Sequence, residues 1–318
     1  MSAHVAPEGF SAEIAVPATS ANLGAGYDSF GMALTLHDTV RVRLASEPVD
    51  PAHRVTVTGE GAGEVPETEG HLILRVAAQV LAARGVDGGA RLLLECENRI
   101  PHSRGLGSSA AAVVAGISIA DALSTAAGLP EPTPGEKLAW ATHFEGHPDN
   151  AAPALFGGVT VSWYPEPERA QSISLPVHPD VRAVVVVPDT RLDTGVARDL
   201  LPSRVPHAEA AANSAIAGLF VHAVCHDPAL LFDATKDRLH QEYRRPAMVG
   251  SLERIDALRD QGLAAVVSGA GPTVAVLGTG ADLEARVRTV LAGDDARVLA
   301  LQIAESGAST LLLRGAGA

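Results

Sequence analysis

Residues 101–116 read PHSRGLGSSAAAVVAG, a glycine-serine loop followed by an alanine-rich segment. Serine is a favoured helix cap and alanine is the best helix former, so the sequence predicts a helix that begins near Ser108. A preceding turn containing Gly105 and Gly107 would point the free N–H groups outward, at the positive end of the helix dipole. The stretch is typical of a phosphate-binding loop. The alternative is a tight turn that only caps a buried helix.

Two common nucleotide-binding patterns do not fit this loop. The Walker pattern requires a lysine after its last glycine, and here Ser108 follows Gly107. The dinucleotide pattern G-x-G-x-x-G would end at Ala110, and no acidic residue follows at a suitable distance. If the loop binds phosphate, some group other than a lysine must supply the positive charge.

The composition excludes several classes of protein. The chain has 318 residues, which is enough for two domains. Its formal net charge of -13 disfavours nucleic acid or an anionic membrane as the main partner. The two cysteines, Cys96 and Cys225, match neither a metal-binding pattern nor a disulfide framework. No secretory signal is visible, and no apolar run reaches the ~20 residues that span a bilayer. We therefore expect a cytoplasmic protein that binds neither nucleic acid nor membrane.

Segments that are typical of strands alternate along the chain with segments that are typical of helices. Residues 164–180 contain four prolines, and we predict a domain boundary within this passage. The predicted domains are residues 1–165, which contain the glycine-serine loop, and residues 166–318. The pattern predicts a mixed helix-and-strand protein with two lobes.

Two further glycine-rich motifs flank the loop in the sequence. Residues 17–34 read PATSANLGAGYDSFGMAL, and residues 265–274 read AVVSGAGPTV. In this order the three motifs resemble those of the superfamily of kinases that phosphorylate galactose, homoserine, mevalonate and phosphomevalonate. Residues 101–111 match the phosphate loop of that superfamily, P-x-x-x-G-L-G-S-S-A-A, at every specified position.

Within the superfamily, the chain is most similar to the homoserine kinases. The segments that carry this resemblance are EGHPDNAAPALFGG at 145–158, DTGVARDLLP at 193–202 and DRLHQEYRRP at 237–246. The resemblance extends from about residue 13 to about residue 280. It implies an α+β fold of two lobes with the active site between them, an N-terminal domain that binds ATP, a C-terminal domain that completes the substrate site, and a homodimer.

The activity that the resemblance implies is the phosphorylation of L-homoserine by ATP, with Mg2+, to O-phospho-L-homoserine for threonine biosynthesis. It assigns the ATP phosphates to the loop residues Pro101, Ser103, Arg104, Gly105, Leu106, Gly107, Ser108, Ser109, Ala110 and Ala111. It assigns the magnesium ion to Ser109 and Glu145, so that the metal supplies the charge of the missing lysine. The alternative for Glu145 is a solvated helix end.

The amino-acid substrate carries an ammonium, a carboxylate and a hydroxyl. The resemblance assigns its carboxylate to Arg198 and Arg244, because a guanidinium fork suits a carboxylate. It assigns Asn22 and Asp28 to the other end of the substrate. For Arg198 the alternative is a surface ion pair with Asp193 or Asp199.

His147 and Asn150 match the segment that lines the same site in that family, although His147 alternatively only orders its loop. We predict Asp28 and Asn150 as the catalytic residues, with Asp28 as the single candidate for a base. The sequence departs from the family at His71, where asparagine is frequent near the nucleotide base, and at Tyr27 and Ala25. A sibling kinase for a sugar or an isoprenoid alcohol, and a non-catalytic nucleotide-binding relative, are the alternatives.

Overall fold

The structure of the protein is a computed structural model that describes residues 4–313. Its strands are β1 (His4–Val5), β2 (Ser11–Ala21), β3 (Phe30–Leu44), β4 (Val55–Gly59), β5 (Val86–Asp87), β6 (Leu92–Asn98), β7 (Val159–Glu166), β8 (Arg169–Leu175), β9 (Arg182–Val187), β10 (Ala264–Val267), β11 (Val274–Gly278), β12 (Arg297–Leu301) and β13 (Ser309–Leu312). Its α-helices are α1 (Leu72–Ala83), α2 (Ser108–Ala126), α3 (Pro134–Glu145), α4 (Pro148–Phe156), α5 (Thr194–Asp199), α6 (His207–Cys225), α7 (Leu231–Ala234), α8 (Gln241–Arg244), α9 (Val249–Asp260) and α10 (Leu283–Val290).

Two sheets carry most of the strands. The larger has the order β13-β2-β3-β6-β4, with β7 added beside the start of β3 and β8 paired to β7. The smaller is antiparallel and has the order β10-β11-β9-β12. Strands β8 and β13 lie beyond residue 165 in the sequence but belong to the larger sheet. The division into domains 1–165 and 166–318 stays a prediction, and the pairing shows that the chain returns to the first sheet at its end.

Helix α2 is the central helix of the protein and begins at Ser108, as the sequence predicts. Buried residues occur at nearly every position from Ala110 to Ser124. Such a helix, apolar all round, is stable only when other elements cover it on every side. Helices α1, α3 and α4 and strand β2 pack against it. The larger sheet and these helices thereby fix the position of the loop that precedes α2.

Two helices, α2 and α6, are long and apolar enough to cross a membrane when judged by length and composition alone. In α2, 67% of the apolar window is buried inside the protein, and in α6 the share is 22%. The core helix of a globular protein passes the same test, so these two helices are weak evidence for a membrane span.

The three glycine-rich motifs meet at one point of the fold. The Ser268 hydroxyl lies 2.5 Å from the Gly105 carbonyl oxygen and 2.8 Å from the Ser20 hydroxyl. The backbone N–H of Thr19 donates to the Leu106 carbonyl at 3.0 Å. Because loop carbonyls buried without partners would destabilise the fold, these contacts fix the loop in place.

Gly105 is required by this close approach. Its φ is +75°, and a Cβ added there would lie 2.2 Å from the Ser268 carbonyl oxygen. We therefore expect Gly105→Ala to lower the free energy of unfolding by about 3 kcal/mol, from the left-handed backbone and the clash together. Denaturant unfolding measures this loss.

Gly128→Ala is the matched control, because Gly128 also has a positive φ, of +87°, with nothing within 4 Å of an added Cβ. It should cost about 1 kcal/mol, the backbone cost alone. Equal losses in the two variants would show that the contact with Ser268 is unimportant.

Candidate active site

A cavity of about 350 Å³ opens where the three motifs converge. Nearly all of the site residues predicted from the sequence line it: Asn22, Asp28, Ser103, Arg104, Gly105, Leu106, Gly107, Ser108, Ser109, Ala110, Glu145, His147, Asn150, Arg198 and Arg244. Of the other two, Ala111 lines an adjoining cavity and Pro101 is buried at the start of the loop. Residues from distant parts of the chain are thus brought into a single site.

The N-terminus of α2 faces this cavity without a capping side chain. Gly107 is the N-cap residue, in the left-handed conformation, and as a glycine it has no side chain that could cap the first turn. The first N–H groups of a helix have no partner within the helix, and the helix dipole adds partial positive charge at this end. Ser108 and Ser109 contribute two of these N–H groups. The arrangement suits an anion such as a phosphate.

Ser109 and Glu145 face each other across the cavity. The Ser109 hydroxyl donates to a Glu145 carboxylate oxygen at 2.6 Å. Burial raises the pKa of Glu145, and the Ser109 hydrogen bond offsets part of that shift. Glu145 is half-buried, and its carboxylate is bonded to the start of α2 instead of standing free at the end of α3. Among residues 4–313 no group of three or more His, Cys, Asp or Glu is placed to hold a metal. Mg2+, however, commonly takes only one or two protein oxygens and completes its shell with water and phosphate. The pair fits such an ion.

His147, Asp149 and Asn150 form a hydrogen-bonded group at the start of α4. One Asp149 carboxylate oxygen lies 2.6 Å from His147 Nδ1 and accepts the Asn150 N–H at 2.9 Å. Burial alone would lower the pKa of His147, but the bond and charge of Asp149 outweigh it, so the pKa is raised. The Thr19 hydroxyl donates to Asn150 Oδ1 at 2.8 Å. This bond leaves the amide NH2 group of Asn150 available as a donor.

Arg244 is a buried guanidinium with only neutral partners. It is 1% exposed and donates to the carbonyls of Ala197 and Gly269, each at 3.2 Å. The His240 ring lies 3.2 Å away through Nδ1, and its Nε2 is 2.9 Å from the Gly24 carbonyl. Burial lowers the pKa values of both Arg244 and His240. Within residues 4–313, no carboxylate lies in ion-pair distance of Arg244. A buried charge without a counter-charge is costly, so Arg244 favours an anionic ligand.

Arg198 pairs with Asp28 instead of Asp193 or Asp199, so the alternative of a local surface pair is not observed. Its two terminal nitrogens donate to the two Asp28 oxygens at 2.7 and 3.0 Å. Asp193 instead caps α5, accepting the N–H groups of the first helical turn.

Asp28 has a φ of +54°, and Asn22 Oδ1 accepts its N–H at 2.9 Å. Asn22 thereby holds Asp28 in a backbone conformation that residues other than glycine seldom adopt.

A second cavity, of about 260 Å³, adjoins the loop on its other side. It shares Ser103, Ser108 and Ser109 with the first cavity and is otherwise lined largely by apolar residues and two histidines. Burial lowers the pKa of His71 to about 4 and also lowers that of His102, so both rings are neutral at pH 7. Its position beside the loop and its apolar walls suit a nucleobase.

Sequence reasoning missed several residues that this site uses. Asp149 lies between two predicted residues, and an acidic residue in the first turn of a helix was a usable signal. Thr19 carried no such signal, because only the folded chain brings it to Asn150. His240 lies four residues before Arg244 in the segment 237–246, and this spacing, which places two side chains on one face of a helical turn, was a usable signal. Arg104, predicted in the loop, also donates to the carbonyls of Pro188 and Asp189 and so joins the loop to the smaller sheet.

Known proteins similar to this chain include kinases of small molecules. Residues 71–158, which include the loop and Glu145, match the family described as GHMP kinases N terminal domain. Over 274 residues the chain is 47% identical to a homoserine kinase of Clavibacter michiganensis subsp. michiganensis, covering 84% of this chain and 82% of that protein. Over 302 residues it is 45% identical to a homoserine kinase of Streptomyces coelicolor, covering 94% of each.

A solved structure extends the comparison to the whole fold. A crystal structure of homoserine kinase from Cytophaga hutchinsonii has a TM-score of 0.80 at 23% identity, over 95% of this chain and 97% of that one. The chain belongs to the homoserine kinase family. The resemblance to the homoserine kinases and the α+β fold that it implies are confirmed.

Asp38 holds the chain in place just before the loop, and its contribution to the stability of the fold depends on pH. It is buried, and one of its oxygens accepts the N–H groups of Arg99 and Ile100 at 2.6 and 2.8 Å. Burial raises its pKa to about 6, against the opposing effect of these two bonds. The folded protein then holds this proton more tightly than the unfolded chain, so the stability due to Asp38 falls as pH rises from 4 through 6.

Asp38→Asn keeps the accepting oxygen but cannot titrate. We therefore expect the free energy of unfolding of this variant, relative to that of the wild type, to increase by about 2 kcal/mol from pH 4 to pH 8. Denaturant unfolding of both proteins at the two pH values measures this difference. The same comparison with the exposed Asp87→Asn is the control. A difference between Asp38→Asn and wild type that does not change with pH would contradict the assignment.

Proposed function

We propose that this chain is a kinase that transfers the γ-phosphoryl group of ATP to the side-chain hydroxyl of L-homoserine. The product is O-phospho-L-homoserine, a precursor of threonine. The observation that carries the proposal is the buried Arg244, which has no acidic partner among residues 4–313 and lies in the same cavity as a helix N-terminus that suits phosphate. The curated relatives at 45–47% identity are homoserine kinases, which supports the same substrate.

The nucleotide would lie across the loop. The N–H groups at the start of α2 would hold the phosphates, and the adjoining cavity beside His71 would take the base. Ser109 and Glu145 would hold Mg2+, which supplies positive charge at the phosphates where the loop has no lysine. The Ser103 and Ser108 side chains line both cavities, at the place where the base and the phosphates would join.

The amino acid would lie at the other end of the cavity. Its carboxylate would bind Arg244, and its ammonium would bind Asp28, which Asn22 holds in position. The hydroxyl would then lie toward Asn150, whose amide orientation is fixed by Thr19. Such binding supplies the alignment that phosphoryl transfer chiefly requires.

A base role for Asp28 stays a prediction, because both of its oxygens accept hydrogen bonds from Arg198. Positioning by Arg244, Asn150 and the loop is therefore the main contribution we assign to the protein. The homodimer and the cytoplasmic location stay predictions as well.

A coupled ADP-release assay tests the proposed activity. With ATP and Mg2+, we expect turnover of L-homoserine and a value of kcat/KM at least about a thousandfold lower for mevalonate and galactose, because neither carries an ammonium for Asp28. Omission of Mg2+ should abolish ADP release. Preference for mevalonate or galactose would favour a sibling kinase, and ATP binding without turnover of any of the three would favour a non-catalytic relative.

Arg244→Leu tests the carboxylate site. A leucine can fill the buried position, so the fold should persist, whereas the substrate carboxylate loses its partner. We expect KM for L-homoserine to rise about a hundredfold and KM for ATP to change less than about twofold. The control is Arg286→Leu, at an exposed position on α10. Equal rises in both KM values would remove Arg244 from the amino-acid site.

A further inference from the structure

The two arginines of the amino-acid site differ in whether a carboxylate of the protein neutralises them. Arg244 has no acidic partner among the described residues, whereas Arg198 has both ends of its fork bonded to Asp28. The Tyr27 hydroxyl accepts a further hydrogen bond from Arg198 at 2.9 Å, and the Tyr27 ring centre lies 5.7 Å from the Arg198 guanidinium and 5.6 Å from that of Arg244. The carboxylate that would receive a substrate ammonium is therefore already occupied by a cation of the protein.

The Asp28–Arg198 pair joins two segments at the edge of the cavity. Asp28 belongs to the loop between β2 and β3, and Arg198 belongs to the six-residue helix α5. The side chains are 34% and 37% exposed, so a ligand in the cavity can reach both of them. A pair that is partly solvated is also far easier to separate than a buried one.

Each class of ligand meets these three charges differently. A carboxylate alone can neutralise Arg244 and leave the Asp28–Arg198 pair intact. An ammonium alone must displace Arg198 from Asp28 and so leaves two guanidinium groups without partners. A zwitterion can place its ammonium at Asp28 and its carboxylate between Arg198 and Arg244, and every charge is then paired.

We propose that the Asp28–Arg198 pair is an exchangeable latch that selects zwitterionic α-amino acids over hydroxy acids and amino alcohols of the same length. The substrate ammonium replaces Arg198 at Asp28, and the released guanidinium binds the substrate carboxylate beside Arg244. This inference rests on the proposed amino-acid site, but it adds a coupling between the two ends of the substrate that the binding residues alone do not require.

Three ligands that share the reacting hydroxyl test the latch: L-homoserine, 4-hydroxybutanoate, which lacks the ammonium, and 3-aminopropan-1-ol, which lacks the carboxylate. Binding is measured by calorimetry in the presence of Mg2+ and a non-hydrolysable ATP analogue. In Asp28→Asn, Arg198 is free before the ligand arrives. We expect Kd for 4-hydroxybutanoate to fall about tenfold, while Kd for L-homoserine rises at least about tenfold.

The reciprocal variant is Arg198→Met, which leaves Asp28 free. Here Kd for 3-aminopropan-1-ol should fall about tenfold. In the double variant Asp28→Asn with Arg198→Met, the gain for 4-hydroxybutanoate should disappear, because the released arginine is gone. Asp199→Asn, which removes an exposed charge beside Arg198, is the matched control and should give no gain.

A purely structural ion pair predicts losses for every ligand, so a gain in affinity is the deciding result. The latch is overturned if neither single variant gains affinity for its ligand, or if the double variant keeps the gain. Failure of the proposed function has a different signature, since the wild-type protein would then bind L-homoserine without phosphorylating it. The gains in the two single variants would still support the latch in that case.

Discussion

The hydrogen bonds of the Ser268 hydroxyl with the Gly105 carbonyl and the Ser20 hydroxyl join the three glycine-rich motifs at one point. Each motif comes from a different part of the chain, and each contains an irregular segment next to a strand or helix. Glycine lets the backbones approach closely enough for these bonds, and the buried setting makes them costly to lose. The direction of the loop, the free N-terminus of α2 and the position of Asp28 all follow from this junction.

The electrostatics of the site are local and oppose the net charge of the protein. A chain with a formal charge of -13 attracts no anion by its overall field. The cavity nevertheless combines a helix N-terminus with the buried guanidinium of Arg244, which forms no ion pair with any described residue, and both favour anions. At the other end of the cavity, Arg198 neutralises the Asp28 carboxylate. In the proposed latch, only a zwitterionic ligand replaces this pair and leaves every charge paired. Binding at this site is therefore decided by a few groups at short range, where screening by salt is weakest.

Much of the fold could be predicted from local patterns. The alanine-rich segment predicts α2 because alanine favours the helix wherever that segment lies, and several strands of both sheets follow from short apolar segments with high β-propensity. Strand β8 was not predicted, because it lies in the proline-rich passage that indicated a domain boundary. Which sheet each strand joins was not predictable from the sequence. Strand β13 joins the larger sheet from the end of the chain, through pairing with β2, and no residue near position 310 indicates that partner.

For the site, the sequence by itself determined the chemistry that was available: a phosphate-type loop without a lysine, a serine and a glutamate with hard oxygens, and two arginines for a carboxylate. Tertiary structure alone decided which of these groups are satisfied. Arg198 is neutralised by Asp28, 170 residues away, while Arg244 is buried among carbonyls and a neutral histidine. The physical reason is that charge pairing and desolvation depend on distances of a few ångströms between remote segments, which no local pattern of residues encodes.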